Sequence, residues 1–449
     1  MVDREACVGV LSQSADRAPC SVCHREMPVT RLGMIRTHGP VTNRCPGLSN
    51  PPLQAPGSSD PIANSAIKPN PPNVKILKRI PCAARDLAAR RLASIIDDVV
   101  RENSTSCWDR LFCFSVRCLR APKRAGHRRS LATLATQMIR EEGDPDQHTS
   151  SKRPRRPSQQ SWESLAARIS SKLEEGDFKG AVRLASSEDT IRDLDEETLS
   201  ALRDKHPAPH PDTDIPPASI TSQLTPLHVS AEEVDKAIRS FPCASAAGPD
   251  GLRPQHLKDM TGVAAGEGGR LLLQALTSFM NLVLQGKVAQ PARHFFFGAT
   301  LIALGKKDGG VRPIAVGCTL RRLASKCACN SVKQAMAALM APHQLGFGIP
   351  LGAEAAVHAT RVYLQDMPDH HLLLKLDFRN AFNSLRRDKM LLAVCEKAPS
   401  FSPWFIQPTV HHPPCSSKTK PSCQRRGSSR VTHWAPCCFP SQLRISWSR

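Results

Sequence analysis

Four residues near the start of the chain, Cys20, Cys23, His38 and Cys45, have the spacing Cys-x2-Cys-x14-His-x6-Cys. Two thiolates on one tight turn, joined later by an imidazole and a third thiolate, match the donor set of a tetrahedral structural Zn2+ site. Bound zinc supplies folding free energy, so a segment of about 30 residues can order without a hydrophobic core. His24 adjoins Cys23 and points elsewhere on such a turn, which leaves His38 as the better ligand. The alternative is four unrelated residues in a chain that holds 17 cysteines.

Two further constellations lie in the second half. In LIALGKKDGGVRPIAV (301–316), Lys306 and Lys307 precede a glycine turn and Arg312 follows it, so three cations converge at one end of a predicted hairpin. Such a fork suits a triphosphate or a nucleic-acid backbone; a solvated basic turn is the competing reading. In LKLDFRNAFNSLRRDKML (374–391), Asp377 closes the apolar run HLLLKLDF (371–378), which predicts a short buried strand. A carboxylate there is costly unless a cation balances it, although an Asp at a strand end also serves as an N-cap or a turn residue. Phe382 follows five residues later, beside the small Ala381.

The surrounding sequence supplies the elements that would position these groups. CAARDLAARRLASIIDDVVREN (82–103) sets Leu87, Leu92, Ile95, Ile96 and Val99 on one helical face. Residues 161–206 alternate charges at helical spacing and predict two or three short helices. Ser230-Ala231-Glu232-Glu233 is a capping-box pattern, and GRLLLQALTSFMNLVLQG (269–286) predicts a strongly apolar helix. HFFFGATLIAL and VRPIAV predict the two strands of the hairpin. The expected organisation is a disordered start (1–17), a zinc finger (18–50), a Pro-rich linker (51–74), a helical region (75–145), a basic linker (146–160), a second helical region (161–206), a Pro-rich linker (207–228), an ordered α+β region (229–404) and a disordered tail (405–449).

Composition narrows the function classes. Lys and Arg number 61 against 40 Asp and Glu, a formal charge of +21 that favours a polyanionic partner. No apolar run approaches the ~18 residues of a membrane span. MVDREACVGV has no apolar segment of the secretory kind, so a nuclear or cytoplasmic chain with reduced thiols is expected rather than a secreted one. SSKRPRRPS (150–158) is a proline-broken cationic segment, expected to be exposed and to serve nuclear import or phosphate binding, or to act as an ordinary linker.

Four segments in fixed order, AAGPDGLRPQHLK (246–258), LIALGKKDGGVRPIAV (301–316), QLGFGIPLGAEAAVHA (344–359) and KLDFRNAFNS (375–384), resemble the reverse transcriptases of non-LTR, LINE-type retrotransposons. The resemblance covers about 229–404 and more weakly takes in the zinc segment and 161–206. It implies the partial fingers and palm of a right-hand polymerase, preceded by helical segments and a zinc knuckle, with RNA-templated DNA synthesis as the ancestral reaction. By that resemblance Asp377 is the first Mg2+-binding carboxylate of the palm and Phe382 the steric gate that excludes a 2′-hydroxyl. Lys306, Lys307 and Arg312 neutralise the incoming deoxynucleoside triphosphate. Gly248, Pro249, Asp250 and Gly251 form the turn that opens the fingers, and Gln344, Gly346 and Phe347 belong to a template-side segment.

The same resemblance exposes what the sequence lacks. No [FY]xDD carboxylate pair, GxxQG segment or thumb follows Asp377, so the expectation is a polymerase interrupted in mid-palm and catalytically incomplete. The alternatives are a non-enzymatic zinc-finger protein that binds nucleic acid, and a remnant without function. From Ile406 to Arg449 there is no Asp or Glu, while seven Lys or Arg and four Cys appear. Read one base out of step, the codons of RGSSRVTHWAPCCFPS (426–441) permit GVQQGDPLGPLLFSL, which resembles the family's next motif. The tail from about Ile406 is therefore expected to be translated out of frame, a property legible in the nucleotides between the codons for Pro399 and Arg426.

Overall fold

A computed structural model describes residues 74–122, 129–142, 162–187, 190–193, 195–205, 225–306, 309–378 and 380–410, with two short strands at 17–19 and 26–28. The chain divides into two compact units, Met1–Ala66 and Ile67–Arg449. In the first, β1 (Arg17–Pro19) pairs antiparallel with β2 (Glu26–Pro28), Pro19 lying opposite Glu26.

The second unit is rich in helix and contains a small antiparallel sheet. Its first helix, α1 (Arg85–Glu102), is built from good helix formers and buries Ala88, Ala89, Leu92, Ile95, Ile96 and Val99 at helical spacing. It ends at Asn103 in the left-handed region, whose amide donates to the Lys287 carbonyl (2.9 Å) and accepts from the Trp108 indole N–H (2.8 Å). Helix α2 (Thr105–Cys118) starts under a Ser104 cap, and α3 (Leu131–Glu141) under Ser130. There follow α4 (Trp162–Glu174), α5 (Phe178–Ser186), the two-residue strand β3 (Thr190–Ile191) and α6 (Glu196–Asp204). The expected short helices of 161–206 are thus present, with a strand between the last two.

Helix α7 (Ala231–Arg239) opens on the predicted capping box: Ser230 Oγ accepts the Glu233 N–H while Glu233 accepts the Ser230 N–H. After α8 (Pro254–Met260) comes α9 (Gly266–Leu284), the apolar helix seen in the sequence. It packs along α1. A Cβ at Gly268 would lie 2.5 Å from the Asp86 carbonyl oxygen, so glycine is what lets the two backbones meet there. Asp86 Oδ1 accepts the Gly268 N–H (2.9 Å), capping α9 from another helix, because its own N-cap, Ala265, has no side-chain acceptor. Trp108 sits fully buried beside this pair, 5.5–5.6 Å from the rings of Phe112, Phe279 and Phe296.

Beyond α10 (Gln290–Phe297), β4 (Ala299–Gly305) and β5 (Val311–Gly317) form the predicted hairpin, in register from Ala299 opposite Gly317 to Gly305 opposite Val311. Strand β3 adds to the other edge of β4, Thr190 opposite Gly305, giving the order β3-β4-β5. The chain then runs through α11 (Thr319–Met340), α12 (Gly352–Gln365), the single turn α13 (Ala381–Ser384), α14 (Arg387–Lys397) and α15 (Ser402–Val410).

Three expectations are corrected. HFFF is not strand: it closes α10, because Phe296 and Phe297 are neighbours and both buried, which a strand with one buried face cannot provide. HLLLKLDF is neither strand nor buried; residues 371–378 carry no regular structure and are exposed. No strand among the described residues runs beside it, and backbone without a hydrogen-bonding partner stays in contact with water. The expected break at Trp404–Ile406 falls inside α15, where Trp404, Phe405 and Gln407 are buried and Gln407 Nε2 donates to the Val288 carbonyl (2.9 Å). Packed structure therefore continues at least to Gln407.

Candidate nucleic-acid interface

The basic turn is built by a tight β-connection. The Lys306 N–H donates to the Gly310 carbonyl (2.8 Å) and the Gly309 N–H to the Lys306 carbonyl (3.2 Å), drawing the ends of β4 and β5 together. Lys306 and Arg312 are both exposed, and Arg312 stands opposite Leu304, one register step from the turn; Lys307 lies outside the described residues. A third cation comes from an unforeseen place. Just past β3, the Arg192 N–H donates to the Ala303 carbonyl (3.0 Å), and its guanidinium donates to the Gly309 carbonyl (3.1 Å). That contact holds the Arg192 charge at the hairpin tip. Helix α6 seats on the same sheet through Leu202, which packs with Ala303 and Val311. Its cap, Asp195, is held below the usual carboxylate range by the Thr198 N–H and hydroxyl, with Arg192 adding a smaller pull.

The turn at 248–251 is a clamp between elements. Its Gly251 N–H donates to the Gly248 carbonyl (3.0 Å), and Gly251 has φ +73°. At Gly248 a Cβ would lie 2.5 Å from the Gly317 carbonyl, so the turn rests directly on the exit of β5. Thr319 Oγ1 donates to the Leu252 carbonyl (2.6 Å), and the Arg322 guanidinium donates to the Ala246 carbonyl (2.6 Å) and to Thr319 Oγ1 (2.9 Å). Asp250 is buried at the start of α11, with Oδ1 lacking a hydrogen-bond partner among the described residues. Burial pushes its pKa up to about 7, against the pull of its own N–H, Arg322, the Leu252 N–H and Arg321. Neighbouring Cys318 is likewise raised, by burial and then by Asp250.

Two polar residues on α8 tie the N-terminal segment to this region. His256 Nε2 donates to the Leu77 carbonyl (2.7 Å) and Nδ1 accepts the Arg253 N–H (3.2 Å), which fixes a neutral tautomer. Burial lowers its pKa to about 4. Asp259 accepts the Ile80 N–H (2.9 Å) and pairs with Arg85 (3.3 Å). Both residues lie in or beside PQHLK, and neither drew attention as a structural strut.

The remaining candidates occupy separate places. Gln344 Oε1 accepts the Gly346 N–H (2.7 Å), which folds that turn back on itself, and Phe347 is buried against Cys329 near Met336 and Met340. Asp377 is exposed on the irregular segment 371–378. Phe382 lies in α13, where its side chain is outside the described residues; the turn is anchored by Asn380 Nδ2, which donates to the Lys205 carbonyl (3.0 Å). Helix α6 and the residue that follows it thus touch both the hairpin and the segment after Asp377. Cys20, Cys23, His38 and Cys45 lie outside the described residues. Among the described residues, no three His, Cys, Asp or Glu side chains converge as a metal site, and no helix is long and apolar enough to cross a membrane.

No protein-family model matches the chain, and no curated protein matches it either.

The buried Asp250 gives a pH signature. Its folded pKa is raised above the unfolded carboxylate value, so its contribution to stability is complete in acid and is lost as pH rises through about 7. Asp250→Asn removes that loss. The urea midpoint of the variant minus that of the wild type should become more positive between pH 5 and 8; a difference independent of pH would refute the assignment.

Proposed function

We propose that the chain derives from an RNA-directed DNA polymerase of the non-LTR retrotransposon type and, as it stands, binds RNA and DNA without extending a primer. The observation that carries this is the hairpin tip, where Lys306, Arg312 and the guanidinium of Arg192 share one end of a short sheet. Guanidinium and ammonium groups set this way complement phosphate oxygens, and the +21 charge of the chain supplies the long-range attraction. The four ordered sequence segments support the polymerase ancestry. In the complete family enzyme these cations would meet the deoxynucleoside triphosphate; here they serve the backbone of a nucleic acid. The basic segment 150–158 fits a nuclear destination on the same reading.

The carboxylates at hand do not fit a two-ion Mg2+ centre. Asp377 stands on an exposed segment, and Asp388, the next acidic residue along the chain, is buried in an ion pair with Arg386 (2.7 Å). A structural Zn2+ does fit its proposed donors in kind: three thiolates and an imidazole make a tetrahedral set. In sequence, Cys20 and Cys23 fall between β1 and β2, and they lie outside the described residues.

Binding to a primed RNA template, followed by fluorescence anisotropy, tests the interface. Affinity should fall as salt rises, and Lys306→Glu or Arg192→Glu should each reduce the log–log slope by about 1. Salt-independent binding, or deoxynucleotide incorporation that Asp377→Ala abolishes, would overturn the reading. The purified chain should also carry one Zn2+, measured by elemental mass spectrometry. Cys23→Ser should lose most of it, since one of four ligands is gone; equal zinc in both proteins would reject the site.

A further inference from the structure

Five of the seven residues 372–378 are large apolar side chains, and all five are exposed. Leu372 is 95% exposed, Leu374 77%, Leu376 67% and Phe378 72%, and Leu373 between them is 58% exposed. None of the backbone N–H or carbonyl groups of 372–378 makes a hydrogen bond among the described residues. An apolar run whose backbone groups lack partners among the described residues becomes, once extended, a template for strand pairing. The end of α12 adjoins it: Tyr363 stacks on His371, with Val362 and Leu364 also exposed, which enlarges the apolar surface beside the run.

The sequence of the run selects its partner. In an extended conformation Leu374, Leu376 and Phe378 share one face, and Lys375 and Asp377 share the other with Leu373. Two antiparallel copies aligned on Leu376 bring Leu376 opposite Leu376, Leu374 opposite Phe378, and Lys375 opposite Asp377. By two-fold symmetry the Lys375–Asp377 pair forms twice. The competing registers are worse. Shifting by two residues sets Lys375 against Lys375 or Asp377 against Asp377, and a shift by one sets charges against leucine. A parallel in-register stack, the geometry of fibres, repeats the like-charge contacts at every layer.

We propose that residues 374–378 pair with the same residues of a second copy, making a two-fold antiparallel strand pair. It is held by two Lys375–Asp377 ion pairs and an apolar face of Leu374, Leu376 and Phe378. The proposal is independent of the nucleic-acid reading, since it uses only the exposure, the alternation and the charge order of this segment. It gives the apolar run a partner and closes its free edge by symmetry.

Charge reversal tests it in the full-length chain by sedimentation equilibrium, with circular dichroism to verify folding. Wild type should show a monomer–dimer equilibrium. Lys375→Asp and Asp377→Lys each convert both ion pairs to like-charge contacts and should weaken dimerisation roughly tenfold or more. The double variant Lys375→Asp with Asp377→Lys restores opposite charges across the two-fold axis and should recover the wild-type association. The segment is exposed and has no backbone partner among the described residues, so these changes leave the monomer fold intact. A wild type that stays monomeric, an association insensitive to either reversal, or a double variant that is no tighter than the single ones would overturn the proposal.

Discussion

The structure depends on two helices far apart in sequence that bury their apolar faces against each other. Helix stability in a folded chain comes mainly from packing of the apolar face, and Arg85–Glu102 and Gly266–Leu284 each supply the surface that the other buries. The Asp86 carboxylate satisfies the open end of the later helix at Gly268, and Asn103 reaches the Lys287 carbonyl just beyond its far end. Both ends of the pair are therefore fixed by hydrogen bonds, and the apolar contact between them is held in one register. Trp108 seals the side, joining the helix that follows Asn103 to Phe279 and Phe296.

That constraint explains what the polar residues around the candidate site are for. His256 and Asp259 hold the chain entering the first helix, and the turn at 248–251 joins that assembly to the hairpin exit and the start of helix Thr319–Met340. Residues that suggest chemistry by type, such as Asp250 and His256, are buried and perturbed by desolvation while acting as struts. Perturbed titration by itself is a weak sign of catalysis, because a buried structural contact shifts a pKa in the same direction. The exposed Lys306 and Arg312 and the half-buried Arg192 gather at the hairpin tip. They are held there by backbone: Lys306 by the turn, Arg312 by the strand ladder, and Arg192 by the Ala303 and Gly309 carbonyls.

What could be read from sequence follows the range of the forces involved. The capping box at Ser230–Glu233, the apolar stripe Leu92–Val99 and the hairpin around Gly309–Gly310 are local patterns, and each appears where it was expected. Thr190–Ile191 gives no local signal as a strand, and its pairing is set by contacts more than a hundred residues away. Arg192 was invisible as a site residue for that reason. HFFF and HLLLKLDF are both short apolar runs, which periodicity alone cannot assign. The first became helix because aromatic rings on both sides could be buried; the second stayed open because no strand among the described residues lies beside it. The zinc spacing and the tail beyond Val410 concern residues outside those described.

The central claim is that the helices of residues 85–118 and the region 229–410 are one cooperative body, so that the hairpin and its cations are positioned by elements outside the resembling segments. Native-state hydrogen exchange across a denaturant series measures this most directly. The slowest amides of Arg85–Glu102, Pro254–Met260 and Gly266–Leu284 should share one opening free energy and one denaturant dependence. If the first helix instead opened at lower denaturant while Gly266–Leu284 stayed protected, the two would be separate folding units and the account would be contradicted.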